Sequence, residues 1–143
     1  MLVEVKVKVN KRVGDKLRKT MQTFLLDSEF FANAEYKVTE ILSKEGGVEQ
    51  FEIQSLRLSP VKEIATQFLG ECMFKATLKD IWTDDKGNEK YLRYQVILWS
   101  KDLLDATSNT QKLVKQGYDM QIESLKEVDY VYVKPEIAAD GNS

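Results

Sequence analysis

The amino-acid sequence predicts an α+β protein built from a tandem duplication of a β-β-α-β unit. The first observation is an echo, because the block FEIQSLR that begins at Phe51 returns as MQIESLK at Met120. The second is that each block follows a polar hairpin, an apolar strand, a serine and a short amphipathic helix. One such unit has little apolar surface to bury. We therefore expect the two units to form one antiparallel curved sheet with both helices on one face.

The first unit begins with valines that alternate with polar residues over positions 3–9, which is the period of a half-buried strand. Gly14 supplies the turn, and residues 17–26 return as the second strand. A helix follows that Asp27 or Ser28 can cap with a side-chain oxygen. Its apolar residues have helical spacing: Phe31, Ala34, Val38, Ile41 and Leu42. The third strand spans residues 49–58, between Gly46-Gly47 and Pro60.

The second unit repeats this order from about Leu69. Alternating apolar residues predict its first strand, a loop at 84–88 predicts the hairpin turn, and Lys90 to Trp99 is the return strand. Ser100 can cap the second helix. The apolar residues of that helix are Leu103, Leu104, Ala106, Leu113 and Val114. The final strand covers residues 118–133.

These elements predict a single domain over residues 1–143. Repeat one covers residues 1–59, a linker covers 60–68, repeat two covers 69–133, and a loose tail covers 134–143. Because the echoed blocks carry an isoleucine at the same place, we expect Ile53 and Ile122 to be equivalent and buried.

Composition bounds the function. The sequence has no apolar run long enough for a membrane span and no signal-peptide pattern at its start, and its single cysteine makes a cytoplasmic location the default expectation. It contains no histidine, which removes the usual general base and the commonest zinc ligand. We therefore expect a protein that is not an enzyme and has no cofactor and no metal.

The charge is unevenly distributed. The net charge of the chain is −2, but residues 1–20 hold seven basic side chains against Glu4 and Asp15. Such asymmetry suggests that this end faces a polyanion. The alternative is a solvated strand face.

Two signatures carry a family resemblance. The first runs from Phe74-Lys75 through residues 84–90, and the second is the YDMQIES run at 118–124. Together with the element order over residues 3–133, they resemble a family of small uncharacterised proteins, a domain of unknown function, found in Bacteroidota and in their phages and mobile elements. The first strand departs from the family pattern because it lacks an aromatic residue near its start. The resemblance implies a genomic setting and no catalytic residues.

The strongest candidate surface is the polar side of the two hairpins, where cations for phosphates are interleaved with aromatic rings for bases. Its predicted nucleic-acid-binding residues are Lys6, Lys8, Lys11, Arg12, Lys16, Arg18, Lys75, Lys79, Lys90, Arg93, Trp82 and Tyr91. The alternative is that Trp82 anchors the core and the lysines only keep edge strands soluble.

Other polar residues have simpler explanations. Asp84 and Asp85, with Asp80, lack the spacing of a calcium loop, so turn chemistry explains them. Cys72 lies on the apolar side of its strand and is expected to be a small core residue.

The sequence therefore leaves two functions open. The first is a non-enzymatic accessory protein of a phage or mobile element that binds single-stranded DNA or RNA on a basic-aromatic sheet face. The second is a protein-binding module that occupies or inhibits a host protein through an exposed sheet edge, with residues 118–133 also able to pair two copies as a homodimer.

Overall fold

A computed structural model describes residues 1–114 and 120–135. Over this part of the chain it has eight β-strands and two α-helices in two sheets, so the α+β class is confirmed. The elements of the first half are β1 (Leu2–Val13), β2 (Lys16–Asp27), α1 (Phe31–Lys44), β3 (Val48–Leu58) and β4 (Val61–Ala65). Those of the second half are β5 (Cys72–Thr83), β6 (Glu89–Ser100), α2 (Leu103–Val114), β7 (Met120–Val128) and β8 (Tyr130–Val133).

The strands form two four-stranded sheets and not the one antiparallel sheet that we expected. Their orders are β3-β1-β2-β8 and β4-β6-β5-β7. Within each sheet the two longest strand pairs are antiparallel, whereas β8 pairs with β2, and β4 with β6, in parallel. The trios β3-β1-β2 and β6-β5-β7 do not pair with each other, and each gains one short strand instead. One, β4, lies in the predicted linker 60–68, and the other, β8, is separated from β7 by Asp129.

The chain divides into two compact units. The first consists of Met1–Ser59 with the segment that begins at Asp129, and the second is Pro60–Val128. The predicted break between repeat and linker after residue 59 therefore coincides with a unit boundary. The second unit, however, includes β4 and ends before β8. Of the predicted tail 134–143, residues 136–143 lie outside the described part of the chain.

Each unit has its own helix and its own core. In the first, the valines of β1 and Phe24 of β2 pack against Ala34, Val38 and Leu42 of α1, as the alternation and the helical stripe predicted. In the second, the core residues are Ala65, Phe74, Ala76, Leu78, Val96, Leu98 and Ala106. The face of each sheet that carries this core is called its helix face below.

The second helix differs from its predicted apolar stripe. Leu103 and Leu104 are 57% and 81% exposed, and the sheet side of α2 instead buries Asn109 and Thr110 beside Ala106. These polar groups are satisfied locally, because Asn109 Nδ2 donates to Ser100 Oγ at 3.1 Å and Thr110 Oγ1 donates to a carbonyl of its own helix. Ala106, Leu113 and Val114 of the predicted stripe do pack on the core, so helical spacing identified the element and part of its packing side.

The echoed isoleucines are partly buried and not fully buried as predicted. Ile53 pairs with Val7 and Ile122 pairs with Leu78, each on the edge strand of its sheet. An edge strand is covered on one side only, so its apolar residues keep some contact with solvent. In both β3 and β7 the pairing register shifts between the isoleucine and the serine of the echo, so the two blocks have the same irregularity.

Neither predicted serine cap is observed. Helix α1 begins after Phe30 without a side-chain cap, and Ser28 Oγ donates to the Phe30 carbonyl at 2.8 Å. At α2 the carboxylate of Asp102 accepts from the Asp105 amide, while Ser100 is buried.

The hairpin turns are as predicted. Gly14 closes the β1–β2 turn with a φ of 65°, a left-handed conformation that glycine adopts at little cost. Asp84 Oδ1 accepts from the amides of Lys86 and Asn88, which explains this aspartate by turn chemistry.

Candidate nucleic-acid interface

The outer half of the β1–β2 hairpin, Asn10–Met21, is called the first arm here. Every residue from Arg12 to Met21 is exposed, so both faces of the arm meet solvent. It contains five basic side chains against Asp15, a local net charge of +4. Such a density on a chain of net charge −2 concentrates positive potential on one element.

Strand alternation places the predicted cations of this hairpin on two faces. Lys6, Lys8 and Arg12 lie on the face opposite the buried valines, because side chains alternate along a strand. Lys11 is on the helix face, and so are Lys16 and Arg18, which pair with Val13 and Lys11. The single basic face predicted for the first hairpin is therefore wrong. The ribbon is cationic on both sides.

The face opposite the helix is open only along its outer part. Near the inner end, Leu25 is fully buried and Glu4 is 5% exposed. The Glu4 carboxylate accepts from Arg57 Nη2 at 2.9 Å and from Ser59 Oγ at 2.7 Å. The alternation in the sequence placed Glu4 on the polar face of β1. It did not reveal that this part of the polar face is covered.

Two of the predicted cations are already paired. Lys11 Nζ lies 3.2 Å from Glu45 Oε1, and Arg12 Nε donates to Glu49 Oε1 at 2.5 Å. The hydrogen bond from Arg12 lowers the pKa of the Glu49 carboxyl, and the same bond raises the pKa of Arg12. These two side chains are thus less available to a phosphate than their exposure suggests.

Five basic side chains at this end remain outside the ion pairs found among the described residues. They are called the free cations: Lys6, Lys8, Lys16, Arg18 and Lys19. Lys19 pairs with Asn10 and joins Lys6 and Lys8 on the face opposite the helix. Lys19 is one of the seven basic side chains counted in residues 1–20, and the pairing register shows which face it occupies.

A shallow hollow lies between the strands on that face. Its volume is about 100 Å³, and its lining includes Lys8, Asn10 and Lys19 together with Gln50 and Glu52. Asn10 Oδ1 is buried without a hydrogen-bond partner in the structure. Glu52, the register partner of Lys8, reduces the positive potential there.

The outer half of the second hairpin, Trp82–Arg93, is called the second arm, and its charge differs from that of the first. Three acidic and three basic side chains give it no net charge. Its exposed apolar residues include Trp82, Tyr91 and Leu92, with exposures of 46%, 52% and 54%. Trp82 is therefore a surface residue and does not anchor the core as the alternative suggested.

The aromatic residues of the second arm lie on opposite faces. Tyr91 shares a face with Lys79 and Arg93, whose cationic groups lie 4.5 and 4.7 Å from its ring centroid. Trp82 pairs with Lys90 on the helix face. Arg93 is also bound to Glu123 Oε1 at 2.6 Å, and this hydrogen bond is the main cause that raises the pKa of Arg93.

Lys75 lies on the same face as Tyr91 but further in, opposite the buried Ile97. The structure thus brings Lys79, Tyr91 and Arg93 together and separates them from Trp82 and Lys90. The predicted continuous basic-aromatic face of this hairpin reduces to one three-residue cluster.

Three other features concern metal binding, the Cys72 thiol and membrane spans. Within residues 1–114 and 120–135, no three histidine, cysteine, aspartate or glutamate side chains are grouped so that they could hold a metal ion. Cys72 is half-buried, with its thiol 3.6 Å from the Lys101 carbonyl. No described helix is long and apolar enough to cross a membrane.

Comparison with known proteins gives one result. Residues 1–136 match a family described as a domain of unknown function, DUF4494. No curated protein and no solved structure matches the chain. Since the match extends over nearly the whole sequence, the chain belongs to the DUF4494 family.

Proposed function

We propose that the protein is a non-enzymatic nucleic-acid-binding protein whose main contact surface is the first arm. The observation that carries the proposal is the group of free cations: Lys16, Arg18 and Lys19 lie where the ribbon is exposed on both faces, and Lys6 and Lys8 lie beside them on the exposed face of β1. Contacts of lysine and arginine with phosphates release condensed counterions, and this term supplies most of the affinity in binding that does not depend on sequence. A surface of this composition therefore favours the sugar-phosphate backbone over base recognition.

The second arm has a smaller part in the proposal. Tyr91 offers a ring for base stacking, worth about 1–3 kcal/mol for a base in single-stranded complexes. The cations of Lys79 and Arg93 already lie over that ring, so a base would have to displace one of them. Trp82 and Lys90 face the other side of their hairpin, so they do not share a surface with Tyr91.

We further propose that the two units arose by duplication. Three observations support it: each sheet adds one parallel strand to an antiparallel trio, each has one helix, and β3 and β7 both shift register between the isoleucine and the serine of the echo. A role as an accessory protein of a phage or mobile element is also proposed, and it depends on the motif resemblance alone. A cytoplasmic location is proposed from the single cysteine.

Removing the free cations tests the nucleic-acid proposal. A variant with all five replaced by glutamine should lose binding to nucleic acid at about 50 mM salt, and the parent should lose affinity steeply as salt rises. Fluorescence anisotropy with labelled single strands and duplexes of about 20 nucleotides or base pairs measures both effects.

A matched control changes the net charge equally at exposed lysines of the second unit. These are Lys62, Lys86, Lys101, Lys112 and Lys126. Glutamine at these positions should leave binding close to that of the parent. If the parent binds neither nucleic acid at low salt, or if both variants weaken binding equally, the proposal is wrong.

A protein-binding module is the second candidate. Exposed leucines support it, since Leu69, Leu103 and Leu104 are 84%, 57% and 81% exposed. The stretch Leu69–Cys72, with Lys101, lines an open hollow of about 420 Å³.

The edge predicted from residues 118–133 comprises β7 and β8, and each is an outer strand of its sheet. Residues 118–119 lie outside the described part of the chain. Pairing along these strands, by a host protein or a second copy, stays part of this candidate.

A further inference from the structure

We propose that the first arm binds double-stranded DNA, entering the major groove with the edge of β2 foremost. This inference rests on the proposed nucleic-acid function and names the form of nucleic acid. The distribution of the free cations over two faces of one ribbon is the starting observation.

A ribbon with cations on both faces suits a ligand with phosphates on both sides. Lys16 and Arg18 extend from one face, and Lys6, Lys8 and Lys19 extend from the other. A single strand that follows one face can reach at most three of them. The two backbones that flank a duplex groove can reach all five, with Lys6 at the rim, because its register partner Thr23 is already paired with β8.

The open edge of β2 determines which part of the ribbon can enter. Strand β8 pairs with β2 only over Thr23–Leu26, and no described strand pairs with Lys16–Gln22 on that side. The other edge of the hairpin is less accessible, because β3 pairs with β1 as far as Lys11, and the Arg12 amide donates to the Gly47 carbonyl. Only β2 therefore presents a free edge to a groove.

The dimensions of the ribbon fit the groove. At about 3.4 Å per residue, the free edge Lys16–Gln22 is about 24 Å long. Sheets stack about 10 Å apart, so one sheet with its side chains is about 10 Å thick. The major groove of B-form DNA is about 12 Å wide and admits a two-stranded ribbon.

The edge also offers backbone groups. A two-residue turn makes Val13–Lys16 a hydrogen-bonded pair, so Leu17, Lys19 and Met21 direct their N–H and C=O groups away from β1. In the groove these groups would face the base edges, while the cations face the phosphates.

The acidic residues near the arm are Asp15 at the tip, Glu45 and Glu49 in ion pairs, and Glu52 beside Lys8.

Two variants, each neutralising one face, test the inference by anisotropy. One replaces Lys6, Lys8 and Lys19 by glutamine, and the other replaces Lys16 and Arg18 by glutamine. With about 0.9 counterions released for each phosphate contact, five contacts predict about a 500-fold loss of affinity for duplex DNA between 50 and 200 mM salt. The three-site variant should show about a 12-fold loss over that range, and the two-site variant about a 40-fold loss.

The outcomes separate the two proposals. Duplex binding that both variants weaken, with the salt dependence lowered in each, supports entry into the groove. Two results overturn this inference and leave the nucleic-acid function standing. In one, a variant keeps the parent's salt dependence; in the other, the protein binds the single strand more tightly than the duplex. No binding to either form overturns both.

Discussion

Replacing Phe24 by alanine should lower the free energy of unfolding by about 3–5 kcal/mol, the range for removing a large aromatic side chain from a packed core. Phe24 is 1% exposed and packs in the cluster formed by the valines of β1 and by α1. Truncation removes its apolar contacts and leaves a cavity that its rigid neighbours fill only in part. Urea denaturation followed by circular dichroism measures the change.

Phe30→Ala is the matched control, since Phe30 is 63% exposed. Its effect should stay within about 0.5 kcal/mol, as for most surface substitutions. A Phe24→Ala protein as stable as the parent would mean that the face of β1 and β2 that packs on α1 is not the core of the first unit.

Gly70→Ala should destabilise the second unit by about 3 kcal/mol, near the upper end of the usual range for overpacking. A Cβ atom on Gly70 would lie 2.2 Å from the backbone carbon of Ser100, closer than any van der Waals contact allows. Backbone atoms cannot move aside as a flexible side chain does, so the start of β5 would have to separate from the end of β6. Thermal denaturation of the variant measures the loss.

Gly46→Ala makes the same chemical change where there is room. Nothing lies within 4 Å of a Cβ atom at Gly46, and its φ is not in the left-handed region. Alanine there should raise stability by about 0.4–1 kcal/mol, because it restricts the unfolded chain. Equal effects of the two substitutions would contradict the close approach at Gly70.

The regular elements were predictable because their patterns are local. The alternating valines of β1 identified a strand and the face that packs, and Gly14 identified the turn. The helical spacing of Ala34, Val38 and Leu42 identified α1 and its buried side. These signals depend only on which side of an element meets the core.

The strands β4 and β8 were not predictable in the same way. They have five and four residues, and each pairs in parallel with a strand distant in sequence. The strand that completes each sheet depends on these pairings, which no short-range pattern reveals.

The candidate site was predicted in composition but not in arrangement. The charge of the first hairpin is visible in the sequence, yet its division between two faces follows from the register at Gly14. The pairing of Arg12 with Glu49 joins residues far apart in the chain, and so does the burial of Glu4 by Arg57 and Ser59. The sequence could not show which cations remain free.

The central claim is that the first arm, with Lys6 and Lys8 beside it, is the main surface that contacts nucleic acid, and that the second arm is not. The most direct test is a titration of the ¹⁵N-labelled protein with a short duplex, followed by the backbone amide chemical shifts. We predict changes concentrated in residues 6–21, with the second arm, Trp82–Arg93, close to its free positions. Changes centred on the second arm or on Leu69–Cys72, or no changes at low salt, would contradict the claim.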